Sequence, residues 1–254
     1  MHPTTPITRK SESRVKLDIV NIEKTFTLHC RDSIQVSGFS RVNFSVNRGE
    51  LLALTGASGV GKSSILKAIY RTYLVNSGSI LFHRADNTVV NLASCTESQV
   101  LEMRKSEIGF VTQFLKILPR ITALQAVAAP LIESGEEERA SLVRAANLLE
   151  LLGIREELFH LSPLTFSGGE QQRVNIARGV IAPKELLLLD EPTASLDEAS
   201  SDRVLDLLVG LKEKGIAMIG IFHDKSKVER VADSQYEVNR ECLHTPCTVQ
   251  QEAA

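Results

Sequence analysis

The chain has 254 residues, 43% of them apolar, enough to bury the core of one large domain or of a domain with a subdomain. Its 29 basic and 31 acidic residues leave a formal charge of -2, which argues against the global basic field that holds a nucleic-acid backbone. No apolar run approaches the roughly 18 residues of a bilayer span, and the opening MHPTTPITRKSE lacks the apolar stretch of a secretory signal, so a cytoplasmic protein is expected.

In chain order, residues 1–14 read as a flexible tail and 15–240 as the folded domain. From Lys16 to Val46 short runs alternate apolar and polar residues, as in Val42, Phe44 and Val46, which predicts an antiparallel β layer. Leu51 to Leu54 then form a short strand that leads through a glycine-rich loop into a helix from about Gly61 to Tyr70, with Ile65, Leu66 and Ile69 on one face. Asn76, Ser77 and Gly78 mark a turn before a strand at Ser79 to Phe82, and a further strand at Ile108 to Thr112 leads to Gln113.

A helical subdomain is expected over about 114–182. The pattern is helical from Ala123 to Leu152, with Pro130 breaking or kinking it and the GEEER stretch from Gly135 facing water. The β/α alternation resumes with a helix after Ser167, a strand at Leu186 to Leu189, a helix near Ala199 to Lys214, a strand at Ile216 to Phe222 and a helix after Asp224. Such alternation implies a parallel sheet covered on both faces, so the predicted class is α/β. Residues 241–254 read as a second flexible tail. The scattered cysteines, Cys30, Cys95, Cys242 and Cys247, do not make a disulfide framework. Cys242, His244 and Cys247 lie close together but lack a second ligand pair for zinc, and free thiols are the preferred reading.

Three stretches carry chemistry. Gly56, Ala57, Ser58, Gly59, Val60, Gly61, Lys62 and Ser63 match G-x-x-x-x-G-K-[ST] between a strand and a helix, the context in which main-chain N–H groups and a helix N-terminus cradle polyphosphate. Lys62 supplies a point charge to the β and γ phosphates, and the Ser63 hydroxyl is suited to Mg²⁺. The apolar run Leu186 to Leu189 ends in Asp190, a hard oxygen ligand for Mg²⁺, and Glu191, placed to orient and deprotonate an attacking water. In FSGGEQQR, Ser167 and Glu170 form a capping box, yet Gly168 and Gly169 each cost a helix about 1 kcal/mol relative to Ala, and their expected use is close approach of a phosphate.

Together GASGVGKS, Gln113, FSGGEQQR, LLLLDEP, Ser195-Leu196-Asp197 and His223 resemble the ATP-binding cassette superfamily, whose domain is a P-loop NTPase with an N-terminal antiparallel β layer and a helical subdomain. The resemblance implies a Mg-dependent ATPase that binds ATP through Gly56 to Ser63 and Ser64, with Phe26 stacking on adenine. It implies that Ser167, Gly168, Gly169 and Glu170 contact ATP held by a second subunit, that Asp197 lies at the dimer seam, and that the dimer is a homodimer or heterodimer closed over an ATP sandwich. Gln113 would sense Mg²⁺ and the water, and His223 would hold the γ phosphate. Glu170 departs from the Gln that most members carry.

TFTLH from Thr25, YRTYL from Tyr70, FVTQFLKILPR from Phe110, TFSGGEQQRVNIARG from Thr165 and GIFHD from Gly220 look like the PhnL-type cassette of the bacterial carbon-phosphorus lyase system. That similarity implies partners among the lyase subunits, including a sister cassette ATPase. It also implies a part in phosphonate breakdown through ribose 1-methylphosphonate 5-triphosphate. The alternative is an ATPase subunit that energises a membrane transporter.

Overall fold

The computed structural model describes residues 14–28, 34–116 and 119–239. Residues 1–13 of the first expected tail, the whole of the second and the Cys242, His244, Cys247 cluster lie outside them, as does Cys30.

Strands β1 (Val15–Leu28) and β2 (Ile34–Asn47) pair antiparallel and are joined by β4 (Ser77–His83) and β5 (Val89–Asn91) in the order β2-β1-β4-β5. This is the expected antiparallel layer. A second sheet is wholly parallel, built from β3 (Leu51–Thr55), β6 (Ile108–Val111), β7 (Leu186–Asp190), β8 (Ala217–Ile221) and β9 (Ser234–Glu237) in the order β6-β7-β8-β3-β9.

The continuous apolar runs follow from coverage of both faces. Side chains alternate along each strand, so Leu51, Ala53, Leu187, Leu189 and Met218 enter one hydrophobic cluster, and Leu52, Leu54, Leu186, Leu188 and Ile219 enter the other. The first cluster packs against α3 (Ala123–Glu133), α4 (Glu138–Leu151), α5 (Gly168–Val180) and α6 (Glu198–Glu213). The second packs against α1 (Lys62–Ile69) and the antiparallel layer. All four leucines of β7 are buried, and truncating one to Ala costs roughly 2–5 kcal/mol.

Charge also joins the layers. Lys16 of β1 is 1% exposed; it donates to the His83 carbonyl, pairs with Glu185 just ahead of β7, and lies 4.2 Å from the Phe82 ring centre. Burial lowers its pKa against the pull of Glu185. Arg84 grips Glu107 with two bonds of 2.7 and 3.0 Å.

The helical expectation over 123–152 needs one correction. Helix α3 runs through Pro130 and ends at Glu133; the break falls at Gly135, with φ of 98°, and α4 starts at Glu138. A proline interrupts one main-chain bond, whereas Gly135 turns the chain out of helical geometry altogether. Residues 97–106 and 234–237 carry no strong periodicity, yet form α2 (Glu97–Ser106) and β9. In α2 only Val100 and Met103 are buried, too few to make a helical stripe.

Candidate active site

Four neighbouring parallel strands deliver the predicted residues at their carboxyl ends, where open α/β sheets place their ligands. Strand β3 runs into the loop Gly56 to Gly61 and then α1. Helix α1 begins at Gly61 with no side chain capping it, whereas α2 to α6 and α7 (Lys225–Val231) are each capped by a Ser, Thr, Asp or Glu side chain. The amide groups at that one helix start are therefore left for an anion.

Gly61 has φ of 105°, and a Cβ there would lie 2.1 Å from the Gly38 carbonyl oxygen, so the loop is wedged against β2. Val60 is buried in the core, so only its main chain can serve the loop, while Ala57, Ser58 and Gly59 are exposed. Lys62 curls back over the loop, its Nζ donating to the Gly56 and Ala57 carbonyls at 2.8 and 2.9 Å. Burial lowers its pKa, and the Glu191 charge opposes that.

One residue on, Ser63 Oγ donates to Asp190 Oδ1 at 2.8 Å. Asp190 is 4% exposed, and burial raises its pKa, assisted by the charge of Glu191 and resisted by the Ser63 hydrogen bond. A buried carboxylate beside a hydroxyl at a phosphate loop is a hard-oxygen donor set that fits Mg²⁺. The cation would relieve the unfavourable charge of Asp190.

Glu191 is held from both sides. Gln113 Nε2, at the end of β6, donates to Oε2 at 3.0 Å, and His223 Nε2, past the end of β8, lies 2.6 Å from Oε1. Glu191 itself has φ of 54°, a left-handed conformation unusual for Glu, and so a strained one at the centre of the site. Buried Gln172 of α5 supports this turn by donating to the Glu191 and Pro192 carbonyls at 3.4 and 3.3 Å. Asn175, one helical turn on, donates to the Thr112 carbonyl at 2.5 Å and steadies the strand end that carries Gln113. Sequence reasoning passed over both; the signal was two amides spaced i, i+3 in an otherwise apolar helix face.

Phe26 is half-buried, edge-to-face with Tyr73 at 5.1 Å, with the Lys24 ammonium 5.3 Å from its ring centre. Its ring lies over Gly38, where a Cβ would come within 2.5 Å of it. Since Gly38 also abuts Gly61, Phe26 belongs to the wall beside the phosphate loop.

Ser167, Gly168, Gly169 and Glu170 stand apart, with no hydrogen bond to the loop or to Glu191 among the described residues. Ser167 caps α5, and Glu170 Oε2 accepts from the Ser167 N–H at 3.0 Å and its hydroxyl at 2.7 Å. Asp197 caps α6, accepting from the Ser200 N–H at 2.8 Å. Ser64 lies in α1 at the mouth of a cleft of about 230 Å³ that also receives Glu191 and His223. Among the described residues no group of three or more His, Cys, Asp or Glu side chains is placed to hold a metal ion.

Comparison with known proteins agrees with this geometry. The family model described as ABC transporter matches residues 39–194. The lipoprotein-releasing system ATP-binding protein LolD of Legionella pneumophila (strain Paris) is 34% identical over 84% of this chain and 92% of its own. The probable syringafactin export ATP-binding/permease protein SyfD of Pseudomonas syringae pv. syringae is 35% identical over 84% of this chain, which spans only 31% of that protein. The ATP-binding cassette MJ0796, solved as a dimer in a post-hydrolysis state bound to ADP and Pi, superposes with a TM-score of 0.77 at 28% identity, covering 90% of this chain and 99% of that one. None of these three is a carbon-phosphorus lyase subunit, so the finer resemblance seen in the sequence is not carried by them. The chain belongs to the ABC transporter family of ATP-binding cassettes, P-loop ATPases that bind ATP with Mg²⁺ and work as dimers.

Proposed function

We propose that the chain is an ATP-hydrolysing motor subunit: two cassettes close head to tail over two ATP molecules, and the closure is passed to a partner seated on the surface beyond Gln113. The observation that supports this best is the Gln113–Glu191–His223 chain of contacts, which bridges three strand ends beside the uncapped start of α1.

In this reading the main chain of Gly56 to Ser64 and the Lys62 ammonium hold the triphosphate, and Phe26 stacks on the adenine. Ser63, Asp190 and Gln113 would hold Mg²⁺, which would supply positive charge to the phosphate oxygens. Glu191 accepts a proton from the attacking water as its oxygen bonds to the γ phosphorus; the bond to the β–γ bridging oxygen breaks, and ADP departs. Gln113 and His223 fix the Glu191 carboxylate, and His223 also meets the γ phosphate. Ser167, Gly168, Gly169 and Glu170 face the ATP of the opposite subunit across a seam that includes Asp197.

The partner is inferred to be the membrane part of a transporter, because the matching family is described as ABC transporter and one relative is named an export ATP-binding/permease protein. No helix among the described residues is long and apolar enough to cross a membrane, so such a part would be supplied by another chain or segment. A second reading, an ATPase subunit of a carbon-phosphorus lyase complex, is supported by the likeness of FVTQFLKILPR and TFSGGEQQRVNIARG to that system's cassette, the segment after Gln113 being where a partner is inferred to sit.

Native mass analysis of complexes purified with and without ATP separates the two. Co-purifying permease subunits support the first reading and lyase subunits the second. A chain that stays monomeric and unpartnered with Mg·ATP present would sink the motor assignment itself.

A further inference from the structure

Phe26 stands beside a β-bulge. The pairing of β1 with β2 steps from Lys24 opposite Phe39 to Thr25 opposite Ser37, which leaves Gly38 as the extra residue, beneath the Phe26 ring. A further register shift falls between Ile22 and Lys24. Bulges bend a strand and re-aim its side chains, and they gather beside active sites. This one is pinned from the far side of β1. The Asn76 side chain accepts from the Thr25 N–H at 2.8 Å, and the Asn76 N–H donates to the Glu23 carbonyl at 2.8 Å.

On this bent strand the Lys24 ammonium stands over the Phe26 ring, 5.3 Å from its centre, while Tyr73 meets the same ring edge-to-face at 5.1 Å. Lys24 is half-buried, and no ion pair among the described residues takes up its charge. Stacking on Phe26 would not by itself select a base, because every base has a π face. Selection needs a group at the base edge, and Lys24 is placed to be one. Stacked rings touch at about 3.5–4 Å between carbon atoms. A base laid on Phe26 therefore displaces an ammonium that stands 5.3 Å from the ring centre, and the flexible stem, rooted two residues before Phe26, carries it to the rim of the base.

An ammonium donates hydrogen bonds and accepts none. Guanine turns a carbonyl oxygen outward at position 6, where adenine turns an amino group outward. The oxygen accepts from Lys24; the amino group repels it. Resting on the reading that Phe26 stacks on the base, we propose that Lys24 selects the base by its position 6 substituent, so that this cassette takes 6-oxopurine triphosphates such as GTP at least as tightly as ATP. The phosphate loop and the Ser63 and Asp190 donor set are indifferent to the base, so they serve either nucleotide.

Calorimetry of the full chain with Mg·ATP, Mg·GTP and Mg·ITP tests this, ITP having the 6-oxygen of guanine without its 2-amino group. Wild type should bind GTP and ITP at least as tightly as ATP. Lys24→Met keeps an unbranched stem without the charge; it should melt as wild type and lower the GTP:ATP and ITP:ATP affinity ratios by about three- to tenfold, the worth of one hydrogen bond. Lys24→Glu should carry both ratios further toward ATP, because a carboxylate accepts from the adenine amino group, while its repulsion of the triphosphate cancels in a ratio. Tighter binding of ATP by wild type, ratios unmoved by Lys24→Met, or ratios raised by Lys24→Glu would each overturn the inference. A fall in GTP:ATP without a fall in ITP:ATP moves the contact to the 2-amino group and overturns the position 6 assignment. Phe26→Ala separates the two layers: if it weakens all three nucleotides, stacking stands whatever Lys24 does, and if it weakens none, both readings fall.

Discussion

The two glycines at the start of α5 should respond in opposite ways to the same small change. A Cβ on Gly169 would sit 3.0 Å from the Ser195 carbonyl oxygen and 3.8 Å from Leu196 Cδ2, whereas a Cβ on Gly168 meets nothing within 4 Å. Ser195 is itself held at φ of 62°, so its carbonyl belongs to a constrained turn that gives way reluctantly. Overpacking of this kind costs about 1–3 kcal/mol. Replacing a helical Gly by Ala returns at most about 1 kcal/mol, less in a first turn. Gly169→Ala should therefore be destabilised by about 1 kcal/mol, and Gly168→Ala should be neutral or stabilised by up to about 0.5 kcal/mol. At about 2–4 °C per kcal/mol for a chain of this size, the two melting temperatures should differ by about 2–6 °C, measurable by calorimetry without nucleotide. If Gly168 is bare so that the opposite subunit's phosphate can approach, the more stable variant should nonetheless lose ATP-dependent dimerisation and turnover. A Gly168→Ala protein that melts below wild type, or that hydrolyses ATP at the wild-type rate, would refute the argument.

Other substitutions test the remaining chemistry. Asp190→Asn should raise the melting temperature of the nucleotide-free protein, by about 1 kcal/mol of stability, while abolishing Mg-dependent ATP binding, because it removes a buried charge and keeps the acceptor for Ser63. Because its folded pKa is raised, the stability Asp190 contributes is complete below its ordinary value of 3.8 and is lost as pH rises through the folded value; the gain from Asn should vanish in acid melts. Lys62→Ala should weaken ATP binding by about 10- to 100-fold in calorimetry, whereas Glu191→Gln should keep binding and lose about 10²- to 10⁴-fold in phosphate release. Wild-type turnover by the latter would remove Glu191 from the role of base. Glu170→Gln should melt within about 2 °C of wild type, since a Gln also completes a capping box, yet dimerise at lower ATP concentration because the opposite subunit's triphosphate then meets no carboxylate charge beside Ser167; a higher ATP requirement on size exclusion would contradict this.

Much of the site was legible because its signals are local. The glycine loop between strand and helix, the acids ending an apolar run and the capping box at Ser167 each depend on residues within one turn or strand of one another. What escaped was information held at a distance: the amides of Gln172 and Asn175, which look like an unremarkable polar face until the Glu191 turn lies beneath them, and the buried Lys16, which reads as an exposed cation until Glu185 meets it. Of the break or kink expected at Pro130 there is no break, because proline weakens a helix without ending it once packing holds both sides, and Leu131 beyond it is fully buried.

By itself, the sequence determined that strands alternate with helices and that one loop is shaped for phosphate, since hydrophobic period and glycine placement are short-range properties. Only the tertiary structure decided the strand order β6-β7-β8-β3-β9, which lays Gln113 within 3.0 Å of a carboxylate 78 positions later and brings His223 to the opposite oxygen. The reason is that adjacency in a parallel sheet is set by how crossover helices pack over its two faces, a long-range balance that no local pattern records.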